Sequence, residues 1–480
     1  MARCLTCRQG LPQWAIESLL SSSQDRQLCI PPPSAQPHTI LNRHQQQGIP
    51  NELSYIDKIP NETLNEIVTY ALPCKFASYS SYRTALALSL VCRRFHRIVQ
   101  PLMYNTLDFS SHSLVQPCTA VKLLHRSMEA NPALGAMVIC LLLHLEYRTP
   151  VLPLDPIFEA DFTIAKELMR WMENVEELEI QGGYGHPSTW PVMMDAARKW
   201  KRLRVVSLKK VKRDWSLLMT PVCEFFMATP SLTKLNLYGI SSRRQNNTLQ
   251  TPPPKNLERT SAITHLFIHQ FGDSFEALSN LLKLPRLLTH FSFGRIYINS
   301  APWQMERFQT LLEPHQDTLQ RVEIGGPLSF RSTPMTAISF LSFPSLEVLQ
   351  LNHWVYRATP EIASSSLLAP RLHTFIWDFR VLDNDSRHGE SWAAFTVEQK
   401  EWLLTFCKLA KEKESALKKF EILFSPNKLF DPKAKEQLKA IVSFWEVMGE
   451  VRDVVKGFGI ELVYETRTRE ELLKRFAIEE

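Results

Sequence analysis

The chain has 480 residues, of which 44% are hydrophobic and 22% are charged, proportions typical of a globular protein. Its formal net charge of +6 is spread along the sequence, and no apolar run reaches the roughly 18 residues of a membrane-spanning helix, so we expect neither nucleic acid nor a membrane as a partner. The length predicts several domains or a repeat array.

Residues 1–50 predict a disordered tail, because residues 30–47 are polar and rich in Pro and Gln. Cys4 and Cys7 form a lone Cys-x-x-Cys pair, and a zinc site would need a second pair at suitable spacing. We therefore expect no metal or other cofactor. The nine cysteines are irregularly spaced, which favours free thiols in a reducing compartment and a cytoplasmic or nuclear location.

Residues 51–110 form the first predicted folded module and contain two amphipathic helical segments. Pro60 has the φ angle of a first helical turn, and Glu62 in that turn complements the helix dipole. The apolar residues that follow at helical spacing are Leu64, Ile67, Val68 and Ala71.

The second segment carries another apolar stripe and is expected to end at Pro101, since an interior proline removes a helix hydrogen bond. Helices this short bury their apolar faces only against each other or against a partner. The stripe consists of Val91, Phe95, Ile98 and Val99.

This module resembles the F-box. The family's Leu-Pro-x-Glu-Leu opening is matched by IPNETL, with Ile59 in place of Leu and Leu64 one position later, and the sequel IVQPLMYNTLDF is similar to that of fungal F-box proteins. The spacer KFASYSSYR is several residues longer than usual. The alternative is an ordinary helical hairpin that opens a domain. The remaining matches are Ile67 to the middle Ile, and Val91, Cys92, Arg93 and Phe95 to the Val-Cys-Arg-x-Trp/Phe segment.

Residues 111–480 are governed by a recurring unit of three apolar anchors, spaced as apolar-x-x-apolar-x-apolar. Most units start about 25–31 residues apart, near the period of leucine-rich repeats. The last two anchors alternate with one other residue, as in a half-buried strand. The units are Val138-Leu141-Leu143, Val175-Leu178-Ile180, Leu203-Val206-Leu208, Leu232-Leu235-Leu237, Ile263-Leu266-Ile268, Leu288-Phe291-Phe293, Leu319-Val322-Ile324, Leu346-Leu349-Leu351, Leu372-Phe375-Trp377 and Leu417-Phe420-Ile422.

The units resemble leucine-rich repeats, which implies an α/β chain: an N-terminal three-helix F-box followed by an irregular leucine-rich-repeat-like solenoid with parallel strands. The family's polar ninth position holds mostly other residues, so we expect the turns to be closed by apolar packing. Open α/β layers with parallel strands are the alternative. The ninth positions hold Gly183, Val211, Ile240, Phe271, Ile296, Pro327, Trp354, Arg380 and Ser425.

Two polar insertions interrupt the period, and the C-terminal region predicts a cap. Residues 241–260 are polar and Pro-rich, which predicts a mobile surface loop, and residues 383–391 are a shorter insertion of similar character. The sequence GFGIELVYETR predicts a final strand followed by a charged helix that would cover the exposed end of the array.

The sequence lacks the motifs of the common catalytic sites. It has no Gly-rich phosphate loop after a strand, no His-Glu-x-x-His and no Gly-x-Ser-x-Gly. His265 and His269 lie on the same side of one predicted strand without an evident third metal ligand. The residues between the anchors are expected to face a partner, among them Glu177, Glu179, Lys234, Asn236, Tyr238, His265, Phe267, Arg321, Glu323 and Gln350.

Taken together, the two resemblances imply a non-catalytic substrate-recognition subunit of a cullin-RING (SCF-type) ubiquitin ligase. The F-box would bind a Skp-family adaptor and, through it, a cullin, while the solenoid would hold an unknown protein substrate. The same features also suit a leucine-rich-repeat scaffold without ubiquitin transfer, and an enzyme with an unrecognised site is the third possibility. The adaptor-binding residues that the resemblance implies are Ile59, Pro60, Glu62, Leu64, Ile67, Leu90, Val91, Cys92, Phe95 and Ile98.

Overall fold

A computed structural model describes the chain over most of the predicted helices and strands. The described residues are 58–72, 79–113, 119–144, 163–182, 189–209, 219–239, 258–272, 274–294, 305–325, 338–353, 358–379, 395–423 and 447–464. The predicted tail (1–50), residues 241–257 of the predicted loop, the insertion at 383–391 and the predicted C-terminal helix lie outside them. The chain divides into two compact units, residues 1–203 and 204–480.

The first unit begins with a three-helix module, as the sequence predicted. Its helices are α1 (Asn61–Ala71), α2 (Tyr79–Ser89) and α3 (Arg93–Asn105). Residues from all three helices share one apolar core, because each helix turns a stripe of apolar side chains inward. The buried members of this core are Leu64, Val68, Leu72, Ala85, Phe95 and Val99.

Helix α3 does not end at Pro101, so that prediction was wrong. The helix continues through the proline to Asn105. Proline deprives only the carbonyl of Arg97 of its helical partner, and Arg97 and Pro101 both lie on the exposed side of the helix, where water can solvate that carbonyl. Strand β1 (Thr106–Ser113) follows without a gap, so the predicted module boundary at residue 110 falls inside a strand.

Three parallel strands in sequence order make up the sheet described in the first unit. Strand β1 pairs with β2 (Cys140–His144), and β2 pairs with β3 (Glu177–Gln181). Between them lie α4 (Thr119–Ala130), a 3₁₀ helix (Pro132–Met137) and α5 (Thr163–Trp171), and α6 (Thr189–Lys199) follows β3. Strand β1 was not among the predicted repeat strands.

The described residues of the second unit form nine parallel strands, again in sequence order. They are β4 (Val205–Lys209), β5 (Lys234–Tyr238), β6 (His265–His269), β7 (His290–Phe293), β8 (Arg321–Ile324), β9 (Val348–Asn352), β10 (Thr374–Asp378), β11 (Lys419–Leu423) and β12 (Glu461–Tyr464). Each strand pairs with the next one along the chain, in register from anchor to anchor.

Helices in the second unit connect the strands and cover the anchor side of the sheet. Phe308 contacts Phe293 of β7 edge-on at 5.0 Å between ring centroids, and Phe406 lies 5.5 Å from Phe375 of β10. The helices are α7 (Met219–Ala228), α8 (Phe275–Leu282), α9 (Met305–Leu312), a 3₁₀ helix (Glu313–His315), α10 (Pro360–Ser366), α11 (Val397–Glu412) and α12 (447–457).

The predicted anchors form the core of both units, and the predicted fold class is confirmed. All thirty anchors of the ten predicted units are buried, with at most 5% of any residue exposed. Burying an apolar side chain of this size contributes roughly 1.5–3 kcal/mol, so three anchors per repeat favour stacking. The predicted final strand is confirmed as β12. Of the ninth-position residues, Phe271 is described, and it is fully buried as the expectation of apolar turns requires.

Candidate functional site

Two surfaces of the chain are candidates for partner binding: the outside of the three-helix module and the strand face of the second unit. We define the strand face as the side of strands β4–β12 that carries the residues between the anchors. Within the described residues, no group of three or more His, Cys, Asp or Glu side chains is arranged to hold a metal ion. No described helix is both long and apolar enough to span a membrane.

The entry of helix α1 is formed by Pro60, which lies at the position before the helix, and by Glu62 in its first turn. Pro60 precedes the helix with a φ of −55°, and its carbonyl accepts a hydrogen bond from the backbone N–H of Leu64 at 3.0 Å. Glu62 is exposed in the first turn, where its charge complements the helix dipole. Arg94, at the start of α3, donates from Nε to Asn61 Oδ1 at 2.8 Å and also bonds the carbonyl of Ile59.

Arg94 is therefore a positioning residue, a role that the sequence did not predict for it. Its guanidinium joins the beginning of α3 to the beginning of α1, which are 33 residues apart in the chain. The available signal was its place inside the Val-Cys-Arg-Arg-Phe segment, but nothing in a sequence shows which of two neighbouring arginines reaches across to another helix.

The structure divides the ten implied adaptor-binding residues into three groups by exposure. Leu64 and Phe95 belong to the core of the module, with 3% and 8% of their surface exposed, so they support the surface from within instead of filling an adaptor groove. Ile59 and Ile98 are half-buried against that core. The residues on the outside are Pro60, Glu62, Ile67, Leu90, Val91 and Cys92.

The turn between α2 and α3 carries the most exposed apolar pair of the implied residues. Leu90 is 76% exposed and Val91 is 62% exposed. Their backbone is fixed, because Leu90 N–H donates to the carbonyl of Leu86 and Val91 N–H to that of Leu88, each at 3.2 Å. Val91 was expected on the apolar stripe of the second predicted helical segment, which corresponds to α3. Helix α3 begins only at Arg93, however, and Val91 lies in the turn before it.

Helix α1 adds a second exposed apolar pair, Ile67 and Tyr70. Ile67 is 49% exposed and Tyr70, which the sequence analysis did not name, is 88% exposed. Residues three apart lie on the same side of a helix. Apolar side chains gathered on the outside of a small module are typical of protein–protein contact sites, and these four side chains are between 49% and 88% exposed.

The strand face of the second unit presents in-register rows of polar and charged residues. A cavity of about 530 Å³ lies over strands β8–β11. Each end of the cavity has an ion pair between two residues of one strand. On β8, Arg321 Nε lies 2.6 Å from Glu323 Oε1, and on β11, Lys419 Nζ lies 2.7 Å from Glu421 Oε2. The cavity is lined by Arg321, Glu323, Val348, Gln350, Thr374, Ile376, Lys419, Glu421 and Leu423.

Two of the described cysteines, Cys223 and Cys407, are held in the thiol form by their surroundings. Burial, with the nearby Glu224 charge, raises the pKa of the Cys223 thiol to about 12, and burial also raises the pKa of Cys407. Both groups therefore stay as thiols at neutral pH, and a thiol is a poor nucleophile compared with a thiolate.

The two histidines that share one strand in the sequence are not the pair that the structure brings together. His265 and His269 lie on one strand, but His265 stacks on His290 of the neighbouring strand, with ring centroids 4.1 Å apart and planes 15° from parallel. His269 contacts Tyr238 of the strand on the other side, at 5.9 Å. The partner of His265 depends on the register between β6 and β7, which a sequence does not specify.

No protein-family model matches the chain, and no curated protein matches it. Among solved structures, the chain is similar to one in the crystal structure of the Rad7 and Elc1 complex in yeast. The TM-score is 0.35 at 11% sequence identity, and the match covers 87% of this chain and 93% of that chain. A similarity at this level carries no argument about function, so the functional assignment depends on the residues described above.

Proposed function

We propose that the chain is the substrate-recognition subunit of a cullin-RING (SCF-type) ubiquitin ligase, with a Skp-family adaptor bound to the three-helix module. The observation that supports this is a difference in burial among the F-box-like residues. Leu64 and Phe95 build the core, while Ile67, Leu90 and Val91 are large, apolar and exposed. An adaptor would remove these three side chains from water.

In this proposal the chain itself performs no bond chemistry. Its role is to hold a protein substrate on the strand face of the second unit while the adaptor connects the first unit to a cullin, which raises the effective concentration of the substrate near the ubiquitin-charged enzyme. Such a complex would work in the cytoplasm or the nucleus.

The decisive experiment is co-expression of the full chain with a Skp-family adaptor, comparing wild type with a Leu90→Asp, Val91→Asp double variant. Each position would bury an apolar side chain in the wild type and an unpaired carboxylate in the variant, so we expect affinity to fall on the order of 100-fold or more. Circular dichroism should be unchanged, because both side chains lie outside the module's core.

A matched control is the Leu123→Asp, Leu287→Asp double variant, which makes the same change at two exposed leucines outside the module. It should bind the adaptor as wild type does. If folded wild type forms no complex, or if the Leu90→Asp, Val91→Asp variant binds as well as the control, the adaptor assignment is wrong.

The second candidate function is a scaffold that binds the same partners without ubiquitin transfer. The two functions differ in the fate of the bound protein. Depletion of the chain should lengthen the half-life of a substrate of a ligase, whereas it should only relocate a protein held by a scaffold.

A further inference from the structure

A second feature of the strand face lies beside the cavity, on strands β5–β8. Lys234, His265, His290 and Arg321 occupy the same position on four successive strands, because the register pairs Lys234 with His265, His265 with His290, and His290 with Arg321. We call these four residues the basic row. Neighbouring strands lie about 4.8 Å apart, so the row extends over roughly 14 Å, and Arg321 at its end also lines the cavity.

Neighbouring threonines fix the ring nitrogens of both histidines. Thr289 donates its hydroxyl hydrogen to the carbonyl of Thr264 at 3.0 Å, so its oxygen, 2.9 Å from His290 Nδ1, accepts from that nitrogen. Thr264 repeats the arrangement with the carbonyl of Thr233 and with His265 Nδ1. In the neutral rings the proton is therefore on Nδ1, and each Nε2 keeps a lone pair that can accept a hydrogen bond or a proton.

The surroundings keep the histidine pair neutral in the free protein. Burial, and then the Lys234 charge, lowers the pKa of His265. Burial is also the largest cause that lowers the pKa of His290. His265, Arg321 and Lys234 lower it further, whereas the Glu323 carboxylate raises it. The facing residues of the next row, Asn236, Phe267 and Ser292, carry no charge.

The cations at the two ends of the row are held differently. Lys234 Nζ lies over the ring of Phe267, 5.0 Å from its centroid, and forms no ion pair with a carboxylate of the described residues. Arg321 is paired with Glu323, whose side chain is only 19% exposed. Within the part of the chain that the structure describes, the row therefore offers one cation without a carboxylate partner, two stacked bases and one cation paired with a carboxylate.

We propose that the basic row binds an extended acidic segment of a substrate protein, and that the stacked histidines take up a proton when it binds. That the bound protein is a substrate rests on the proposed function. Alternate residues of an extended chain are about 6.7 Å apart, so carboxylates at every second position match the length of the row. The first proton would go to one Nε2 from solvent, and the 4.1 Å stacking opposes a second.

Carboxylates suit this row better than phosphates. A phosphate brings a charge of about −1.5 to −2 at neutral pH, and Glu323 beside Arg321 would repel it. A carboxylate carries a single charge and can share the proton of an imidazole. The chemistry on the row thus favours Asp- or Glu-rich segments.

The test is calorimetric titration of the full chain, without adaptor, with short peptides that carry glutamate at every second position. We expect binding to strengthen about tenfold from about pH 7.5 to about pH 6, and uptake of about one proton, measured by comparing buffers of different ionisation enthalpy. The matching glutamine peptide should not bind. The His265→Gln, His290→Gln double variant should lose the pH dependence and the proton uptake, whereas His373→Gln, at a histidine outside the row that also bonds a neighbouring threonine, should keep both.

Equal binding of the glutamate and glutamine peptides, binding without proton uptake, or no binding at all would overturn the proposal, and so would tighter binding of a phosphoserine peptide. The outcome is independent of the adaptor experiment. A chain that binds the adaptor but not the acidic peptide keeps its proposed function and loses this site, and a chain with the opposite behaviour keeps this site as part of a scaffold.

Discussion

His315 shows how one buried titratable side chain makes the fold sensitive to pH. It is 2% exposed and its Nε2 donates to the carbonyl of Leu282 at 2.7 Å, while Nδ1 makes no hydrogen bond within the described residues. Burial lowers the pKa of His315, only partly offset by the Leu282 bond, and Arg259 lowers it further. The folded state thus holds the ring neutral, and protonation favours unfolding.

We predict that the urea midpoint of the second unit falls as the pH drops from about 7.5 to about 5, because the unfolded chain gains protons near its ordinary His pKa of about 6.5 before the folded chain does. His315→Gln keeps an amide that can donate to Leu282 and removes the titration, so its midpoint should fall less. His265 and His290 contribute to the same trend. A midpoint that falls equally in wild type and His315→Gln would contradict the prediction, and His373→Gln is the control.

At the scale of residues, the sequence predicted burial well, but it did not predict which side chains contact each other across separate elements. The anchors follow from spacing alone, because burial alternates along a strand. The pairing of His265 with His290, and of Arg94 with Asn61, depends on how separate elements align. That alignment depends on how distant parts of the chain pack together, and it cannot be predicted from a single sequence.

At the scale of elements, the end of strand β9 carries a buried polar contact that the repeat pattern did not predict. Asn352 is fully buried and donates from Nδ2 to the carbonyl of Asp378, at the end of β10, at 2.9 Å. Half-buried Gln350 donates to Asp378 Oδ2 at 2.8 Å. The polar connection that leucine-rich repeats usually have at the ninth position thus occurs here two residues earlier, between β9 and β10.

We predict that Asn352→Ala lowers the free energy of unfolding by about 1–3 kcal/mol, because a buried hydrogen bond is lost and a space is left behind. Gln350→Ala, which removes a half-exposed bond to the same aspartate, should cost only about 0.5–1.5 kcal/mol. Urea denaturation followed by tryptophan fluorescence measures both, and a larger loss for Gln350→Ala would show that the buried bond does not dominate.

Strand β1 shows why an element can be missed although its residues fit the pattern. Tyr104, Leu107 and Phe109 have the anchor spacing, and Phe109 is 4% exposed. However, Tyr104 also belongs to helix α3, so the helical periodicity and the repeat overlap at this point. Because the helix was expected to end at Pro101, its overlap with the first repeat at Tyr104 was not recognised.

At the scale of the whole molecule, the order of the strands makes stability local. Within each unit every strand pairs with the strand that precedes or follows it in the sequence. In an array of this kind, stability is approximately a sum of repeat terms and nearest-neighbour terms.

We predict that Leu349→Ala in β9, at a fully buried anchor, costs about 2–5 kcal/mol and that the loss is local. Hydrogen exchange should quicken most in β8–β10 and least in β4 and β5. The matched variant Leu235→Ala, at the equivalent anchor of β5, should reverse the distribution. If either variant speeds exchange equally over β4–β12, the second unit behaves as one cooperative block.

The same strand order has a consequence for synthesis. A strand that pairs only with its sequence neighbours can begin to pair once the next repeat has been translated, and it needs no segment further along the chain. Domains generally fold in order from the N-terminus while the ribosome adds about 5–20 residues per second. The three-helix module can therefore be complete, with Leu90 and Val91 already exposed, before the strands of the second unit have been translated.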